Sequence, residues 1–239
     1  MLYVILVFMG TLLFLLGACF FSFLNVVVWR TPRGESLVHG RSHCPSCGRV
    51  LTAWELVPCF SFLALRGKCY GCGAKIPTRD FWVEALGGGL FLGCNLRFGL
   101  MSGQAMLMFA LLFILTVVAL MDWDTGQIYD RFPAMILGCA VIALLLVPEN
   151  GIPDRLAGCV LVGIPALLLK KLLCHRVSRG EAELTLALGA FLGWKHMLLA
   201  AVFAAAGCGA HVLVRKIEKD RLSCSAFLCA GAGLALFLR

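Results

Sequence analysis

Charge is scarce in this sequence. Only 14% of the 239 residues are Asp, Glu, Lys or Arg, while 61% are hydrophobic, and the mean hydropathy is +0.92. A soluble domain carries about 25% charged residues, so this deficit excludes an ordinary soluble globule and calls for a membrane as solvent. No stretch is of low complexity, and no repeat of about 20–50 residues recurs, which excludes a solenoid or propeller. No Lys or Arg precedes Cys19, and the apolar run around it continues to Trp29. Leu16-Gly17-Ala18-Cys19 therefore lacks the basic start and short apolar core of a cleaved signal, and the expectation is a retained first span. No Gly-rich strand–helix unit is present to cradle a nucleotide, and no serine sits in a nucleophile-elbow sequence.

What fills the chain instead is a series of apolar runs, most long enough to cross about 30 Å of hydrocarbon. The first covers roughly residues 2–29, and a polar stretch from Arg30 to Asp80 follows it. Further runs occupy about 82–98, 104–121, 132–147, 156–173, 184–194, 197–214 and 222–238. The pattern predicts an all-α polytopic membrane protein of about eight transmembrane helices, with a small module between helices 1 and 2. Its segments are a first helix at 1–29, the module at 30–81, and a membrane core at 82–239. The run at 184–194 is short, and residues 184–214 also read as one long helical hairpin broken at Gly193-Trp194-Lys195.

The formal charge of +8 would suit a nucleic-acid partner in a soluble protein, but its placement assigns it another role. With residues 30–80 inside the cell, that loop holds eight Lys and Arg. Arg131 joins them, as do Lys170, Lys171, Arg176 and Arg179, and then Arg215, Lys216, Lys219 and Arg221. Only Arg97, Arg155, Lys195 and Arg239 fall on the other side. Such asymmetry is the positive-inside pattern of a multi-pass protein in contact with lipid. It implies no nucleic-acid partner.

Of thirteen cysteines, eight lie in or beside apolar runs, where a thiol behaves as a small apolar side chain. Four others are patterned: Cys44-Pro-Ser-Cys47, then 21 residues, then Cys69-Tyr-Gly-Cys72. Each pair offers two thiolates to one tetrahedral ion, so the spacing predicts a structural Zn2+ held by Cys44, Cys47, Cys69 and Cys72. The alternative is a pair of disulfides, which needs an oxidising compartment, whereas the charge count puts the loop in the cytoplasm. Sulfur fills all four positions and leaves none open for catalysis.

The thirteen acidic residues are placed unevenly. Asp122, Asp124 and Asp130 cluster where the 104–121 run ends, and Glu181 and Glu183 begin the 184–194 run. Acidic groups at the edge of hydrocarbon are costly and mark function by default. Solvated loop positions, or a helix N-terminus that favours acids, explain Asp124 and Glu183 equally well. Two carboxylates from different spans meeting at one face suggest aspartic-protease chemistry, with one shared proton.

These residues and their neighbours resemble the bacterial type IV prepilin peptidases over nearly the whole chain. Ser22-Phe-Leu-Asn25-Val-Val-Val-Trp-Arg30-Thr-Pro32 is similar to the family's opening motif. Cys44-Pro-Ser-Cys47-Gly, Trp54-Glu-Leu-Val-Pro58, Ser61-Phe-Leu-Ala-Leu-Arg-Gly67-Lys68-Cys69, Cys72 and Val83-Glu84 follow the family almost residue for residue. The resemblance implies catalytic acids at Asp122, which opens the family's Asp-x(7)-Asp segment, and at Glu181, which takes the aspartate position after a glycine. Here Glu replaces Asp at 181, Glu183 stands where Lys is usual, Tyr129 precedes Asp130 in place of Pro, and Ser223-Cys-Ser-Ala226 replaces a Pro-Phe-Gly-Pro-like turn.

By resemblance, the protein is an aspartic endopeptidase of the bacterial plasma (inner) membrane. It would cleave the leaders of prepilins or pseudopilins at the cytoplasmic face, then methylate the new N-terminus with S-adenosylmethionine. Two alternatives stay open: a pseudo-peptidase that keeps methylation or binding, and a non-enzymatic, zinc-bearing assembly factor. The predicted topology is checked by cysteine labelling or reporter fusions at Arg97 and Glu149. Both are expected to report the outer side, and a cytoplasmic signal at either contradicts the eight-span order.

Overall fold

Helices are the natural solution for such a chain, because lipid offers backbone N–H and C=O groups no water to bond with. The computed structural model describes residues 1–147, 151–174, 178–215 and 224–238. Glu149, Arg176, Lys216, Lys219, Arg221, Ser223 and Arg239, used in the sequence reading, lie outside the described residues. The chain divides into two compact units, Met1–Leu96 and Arg97–Arg239.

In the first unit, α1 (Leu2–Arg30) lies against α3 (Thr78–Phe98). The rings of Phe21 and Phe14 fill the space that side chains at Gly87 and Gly88 would need. Between these helices come two 3-10 turns, Thr31–Arg33 and Ala53–Leu56, the short helix α2 (Phe60–Ala64), and both Cys-x-x-Cys turns.

The second unit starts with α4 (Gly103–Thr125), capped by Ser102, whose hydroxyl accepts the Ala105 N–H at 3.0 Å. Gly126, at φ 66°, ends it by donating its N–H to the Asp122 carbonyl at 2.9 Å, a left-handed cap that glycine adopts at little cost. Next are α5 (Arg131–Leu146), then α6 (Ile152–Ala157), a π-helical stretch Gly158–Gly163, and α7 (Ile164–Cys174). The last elements are α8 (Arg179–Arg215) and α9 (Cys224–Phe237).

Helix α8 is interrupted at Gly193, whose φ of 74° and ψ of 174° are not helical. Contacts with α9 show that it doubles back there. Glu181 bonds Ser225, while the His211 ring lies 5.7 Å from that of Phe227. Positions 181 and 211 of a straight helix would stand about 45 Å apart, yet both reach residues two apart on α9. The hairpin reading of 184–214 thus describes the chain.

Among the described residues, four helices are by length and composition apolar enough to cross a membrane: Tyr3–Arg33, Gly103–Thr125, Ile152–Leu169 and Arg179–His211, the last of them broken at Gly193. Arg131–Leu146 and Cys224–Phe237 are shorter apolar helices. The broken helix carries an internal seal. Arg155 is only 5% exposed and donates to the carbonyls of Ala140, Ala143 and Val147 at the end of α5, and of Ala190 and Phe191 just before Gly193, at 3.0–3.4 Å. Helix ends leave carbonyls unpaired, and one guanidinium with its five N–H donors closes two such ends at once. One turn further on, Gly158 meets Gly189 backbone to backbone, where a side chain at 158 would stand 2.5 Å from the Gly189 oxygen. The sequence reading counts Arg155 as a loop charge; the structure spends it inside the bundle. Arg155→Leu is expected to cost about 2–4 kcal/mol of stability in detergent by stranding the carbonyls of Val147, Ala190 and Phe191, with Arg155→Lys recovering part of it. Unfolding of Arg155→Leu at the wild-type midpoint contradicts this role.

Candidate metal centre and candidate active site

The two Cys-x-x-Cys segments fold into the same turn. Cys44 N–H donates to the Arg49 carbonyl and Gly48 N–H to the Cys44 carbonyl, both at 2.9 Å; Cys69 N–H donates to Ala74 at 2.8 Å and Gly73 N–H to Cys69 at 2.9 Å. Gly48 and Gly73 take φ of 70° and 71°, which side-chain-bearing residues rarely adopt. Each turn aims its backbone N–H groups at a sulfur. Those of Cys47 and Ser46 hold the Cys44 thiol below its usual value, and those of Cys72 and Gly71 hold Cys69 down to about 6. At Cys72 the Ala74 N–H works the other way from the neighbouring thiols, Cys47 foremost, which push it up to about 11.

All four sulfurs lie within 4.8 Å of one another, and Cys44 Sγ is 3.9 Å from Cys72 Sγ. A metal–sulfur bond of about 2.3 Å implies a tetrahedral edge of about 3.8 Å, so the four thiols fit one ion. Arg49 ties the turns together. It pairs with Glu55, stands 5.8 Å from the Tyr70 ring centroid, and packs where a Gly71 side chain would be. Glu55, 8% exposed, also accepts the Thr52 N–H and hydroxyl at 2.9 and 2.6 Å. The Arg49 bond, with Thr52 behind it, holds the Glu55 carboxyl down to about 2. The sequence reading treats Arg49 only as a topology charge.

The acidic cluster belongs to the second unit. Asp122 occupies the last turn of α4 and is 4% exposed, whereas Asp124 and Asp130 are exposed. Glu181 stands in the first turn of α8. Ser178 N–H donates to Glu181 Oε2 at 3.0 Å, and Glu181 N–H donates to Ser178 Oγ at 3.3 Å, the reciprocal bonds of a capping box. Its other oxygen, Oε1, accepts the hydroxyl of Ser225, a 3%-exposed residue of α9, at 3.1 Å. Glu183 turns elsewhere and pairs with Arg179 at 2.8 Å on an exposed face.

Two features link the elements that carry Asp122 and Glu181. A Cβ on Gly180 would lie 2.6 Å from the Ile128 carbonyl oxygen, so the start of α8 rests directly on the segment that follows Asp122. Along α9, the hydroxyl of Ser225 touches Glu181. Helices α4 and α8, which carry the two acids, both pack against α9. Beside them, Trp123 of α4 packs edge-on against His211 of α8 at 5.6 Å. Ser225 enters the sequence reading only within the Ser223-Cys-Ser-Ala226 stretch, and its contact with Glu181 escapes that reading because it depends on which helices become neighbours.

The chain matches the family model described as Bacterial Peptidase A24 N-terminal domain over residues 15–98, and that described as Type IV leader peptidase family over residues 109–214. Among curated proteins, the "Prepilin leader peptidase/N-methyltransferase" of Myxococcus xanthus (strain DK1622) is 38% identical over 200 residues, or 80% of this chain and 58% of that protein. Proteins of the same name from Burkholderia pseudomallei (strain 1026b) and Bacillus subtilis (strain 168) are 32% and 31% identical. The first alignment covers 93% of this chain and 83% of the relative, the second 95% and 93%. The chain thus spans less than two thirds of the Myxococcus protein and nearly all of the Bacillus one. No solved structure matches it.

Four thiols gathered around one point predict about one tightly held ion per purified chain. Elemental analysis is the check, with loss of the ion in Cys44→Ser and Cys69→Ser. Well-folded, metal-free wild-type protein contradicts the site.

Proposed function

Because the chain belongs to the type IV leader peptidase family, we propose that it is an aspartic endopeptidase of the bacterial inner membrane, with Asp122 and Glu181 as its acidic pair. Its substrates are prepilins or pseudopilins, cut on the cytoplasmic side. The observation that carries this reading is that the helices bearing the two acids both pack on α9, with Asp122 buried in the last turn of α4 and Glu181 held by the Ser225 hydroxyl. Supporting sidedness are the Lys and Arg asymmetry and the eight apolar runs, taken as eight spans. The ion at Cys44, Cys47, Cys69 and Cys72 is zinc, bound to stabilise the 30–81 module, and residues 82–239 form the peptidase core.

Two carboxylates in a partly desolvated site cannot both ionise easily, so one proton is shared. The ionised member takes a proton from water as the water oxygen bonds to the scissile carbonyl carbon, and the protonated member donates to the carbonyl oxygen. Collapse of that tetrahedral centre breaks the C–N bond, and the leaving amine takes up the proton. Ser225 and Ser178 hold the longer Glu181 side chain in place while this happens. By the relatives' name, transfer of a methyl group to the new N-terminal amine would follow cleavage. S-adenosylmethionine supplies that methyl group when bound.

A second reading, a pseudo-peptidase or zinc-bearing assembly factor, draws on the same capping box, which gives Glu181 a purely structural use at a helix start. Cleavage of a co-expressed prepilin decides between them. Asp122→Asn and Glu181→Gln are each expected to lower it by at least about 100-fold with protein level and metal content kept, while Glu183→Gln cleaves normally. Glu181→Asp is expected to slow cleavage as well, since it withdraws the carboxylate from Ser225, and about 1 Å of misplacement costs on the order of 100-fold. Normal cleavage by Glu181→Gln sinks the pair.

A further inference from the structure

The segment between the two Cys-x-x-Cys turns does not stand clear of the helices. Helix α2 lies along the start of α3, with the Phe62 ring stacked on that of Phe81 at 5.0 Å. Just before α2, the Cys59 N–H donates to the Glu84 carboxylate at 2.8 Å, and Glu84 also accepts the Ser22 hydroxyl of α1. Cys59 is held there at φ 58° and ψ −44°, a tight turn that is rare and strained. Strain of this kind persists where the surrounding contacts impose it.

These bonds set a depth. Tyr3–Arg33 is long and apolar enough to cross lipid, and near its end the exposed Trp29 carries the Arg33 guanidinium 3.6 Å over its ring. An exposed Trp beside a cation belongs at headgroup level. Ser22 precedes Trp29 by seven residues of continuous helix, about 10 Å at 1.5 Å per residue. The start of α2 therefore lies about 10 Å to the hydrocarbon side of Trp29. Interfacial helices bury their apolar faces about 5–10 Å deep.

The outward face of α2 fits that depth. Ser61, Phe62 and Leu65 turn toward the space beside α1 and α3. Phe60 and Leu63 do not. Three apart and on one side of the helix, they are 61% and 63% exposed, and Val57 just before them is exposed too. The charge around this face has one sign. From Leu56 to Arg79 the chain carries Arg66, Lys68, Lys75 and Arg79, all exposed, and no acid.

We infer that residues 57–68 form an interfacial lipid site, in which Phe60 and Leu63 enter the acyl boundary while Arg66 and Lys68 take the phosphate of an anionic phospholipid. The module that reads in sequence as a polar loop is thereby seated in the leaflet. Lipid is the occupant because the face continues the surface of α3, which packs along the spanning α1, and because its charge complements an anionic headgroup. The inference goes beyond the peptidase reading and needs neither Asp122 nor Glu181.

The test is photo-crosslinking of full-length, metal-loaded protein in vesicles of equal parts phosphatidylcholine and phosphatidylglycerol. A trace of one lipid or the other carries a diazirine on its acyl chain, and adducts are mapped by mass spectrometry. Adducts are expected at Phe60 and Leu63 as well as at the exposed Leu86 of α3. At residues 57–68 the phosphatidylglycerol probe is expected to react about fivefold more than the phosphatidylcholine probe, the scale of one cation near a charged leaflet. Arg66→Gln with Lys68→Gln is expected to remove that preference at unchanged metal content, and Arg66→Lys with Lys68→Arg to keep it. Raised salt, which screens surface charge without altering the chain, is expected to remove it as well. Adducts at Leu86 but not at Phe60 or Leu63 overturn the inference, whether water, a second copy of the chain or another protein covers the face instead. Equal yields of the two probes on the wild type, or a preference that survives both the Gln pair and raised salt, overturn the assignment of an anionic headgroup.

Discussion

With only 2.6 Å between the place a Gly180 Cβ would take and the Ile128 carbonyl oxygen, the start of α8 rests on the 126–130 segment because residue 180 has no side chain. This close approach constrains everything around the acidic cluster. It fixes the first turn of α8 beside the segment that leaves α4, and so fixes where Glu181 begins. From there the capping box with Ser178 sets the Glu181 backbone, and the Ser225 hydroxyl sets its carboxylate. A bulkier residue at 180 would lift the helix start off the loop, and each of these contacts would lengthen with it.

The same economy governs the opposite end of the hairpin. Gly193 lets α8 reverse, but reversal strands carbonyls where lipid or packed protein cannot bond them. Arg155 meets that need from a neighbouring helix and closes the end of α5 as well. One hairpin thus has its reversal sealed by a guanidinium and its open end held by carboxylate–hydroxyl contacts. The geometry of the acidic cluster depends on both, because a reversal that slipped by a residue would rotate Glu181 away from Ser225 by about 100°.

How legible this was in the sequence varies with the physics. Paired Cys-x-x-Cys spacing reads clearly because ligand geometry is local, and the four sulfurs do gather. Asp122, a charge directly ending an apolar run in the sequence, lies in the last turn of α4. Glu181 could be separated from Glu183 only by register, and the structure gives them different partners, Ser225 for one and Arg179 for the other. Arg155 was misread in role because a basic residue between apolar runs looks the same whether it faces water or caps carbonyls. The bond from Ser225 to Glu181 stayed hidden, since it depends on which helices become neighbours. The eight-span count rests on apolar runs, some of which form helices of 14–16 residues. Such helices span about 21–24 Å at 1.5 Å per residue, short of the full hydrocarbon thickness.

The central claim is that two carboxylates on separate helices share one proton and act as a unit. The pH dependence of kcat/KM for leader cleavage by the purified protein tests it most directly. A pair working this way predicts a bell-shaped profile, with a rising limb where the first proton leaves and a falling limb where the second does. A profile with a single limb, or one flat across the acidic and neutral range, contradicts the account.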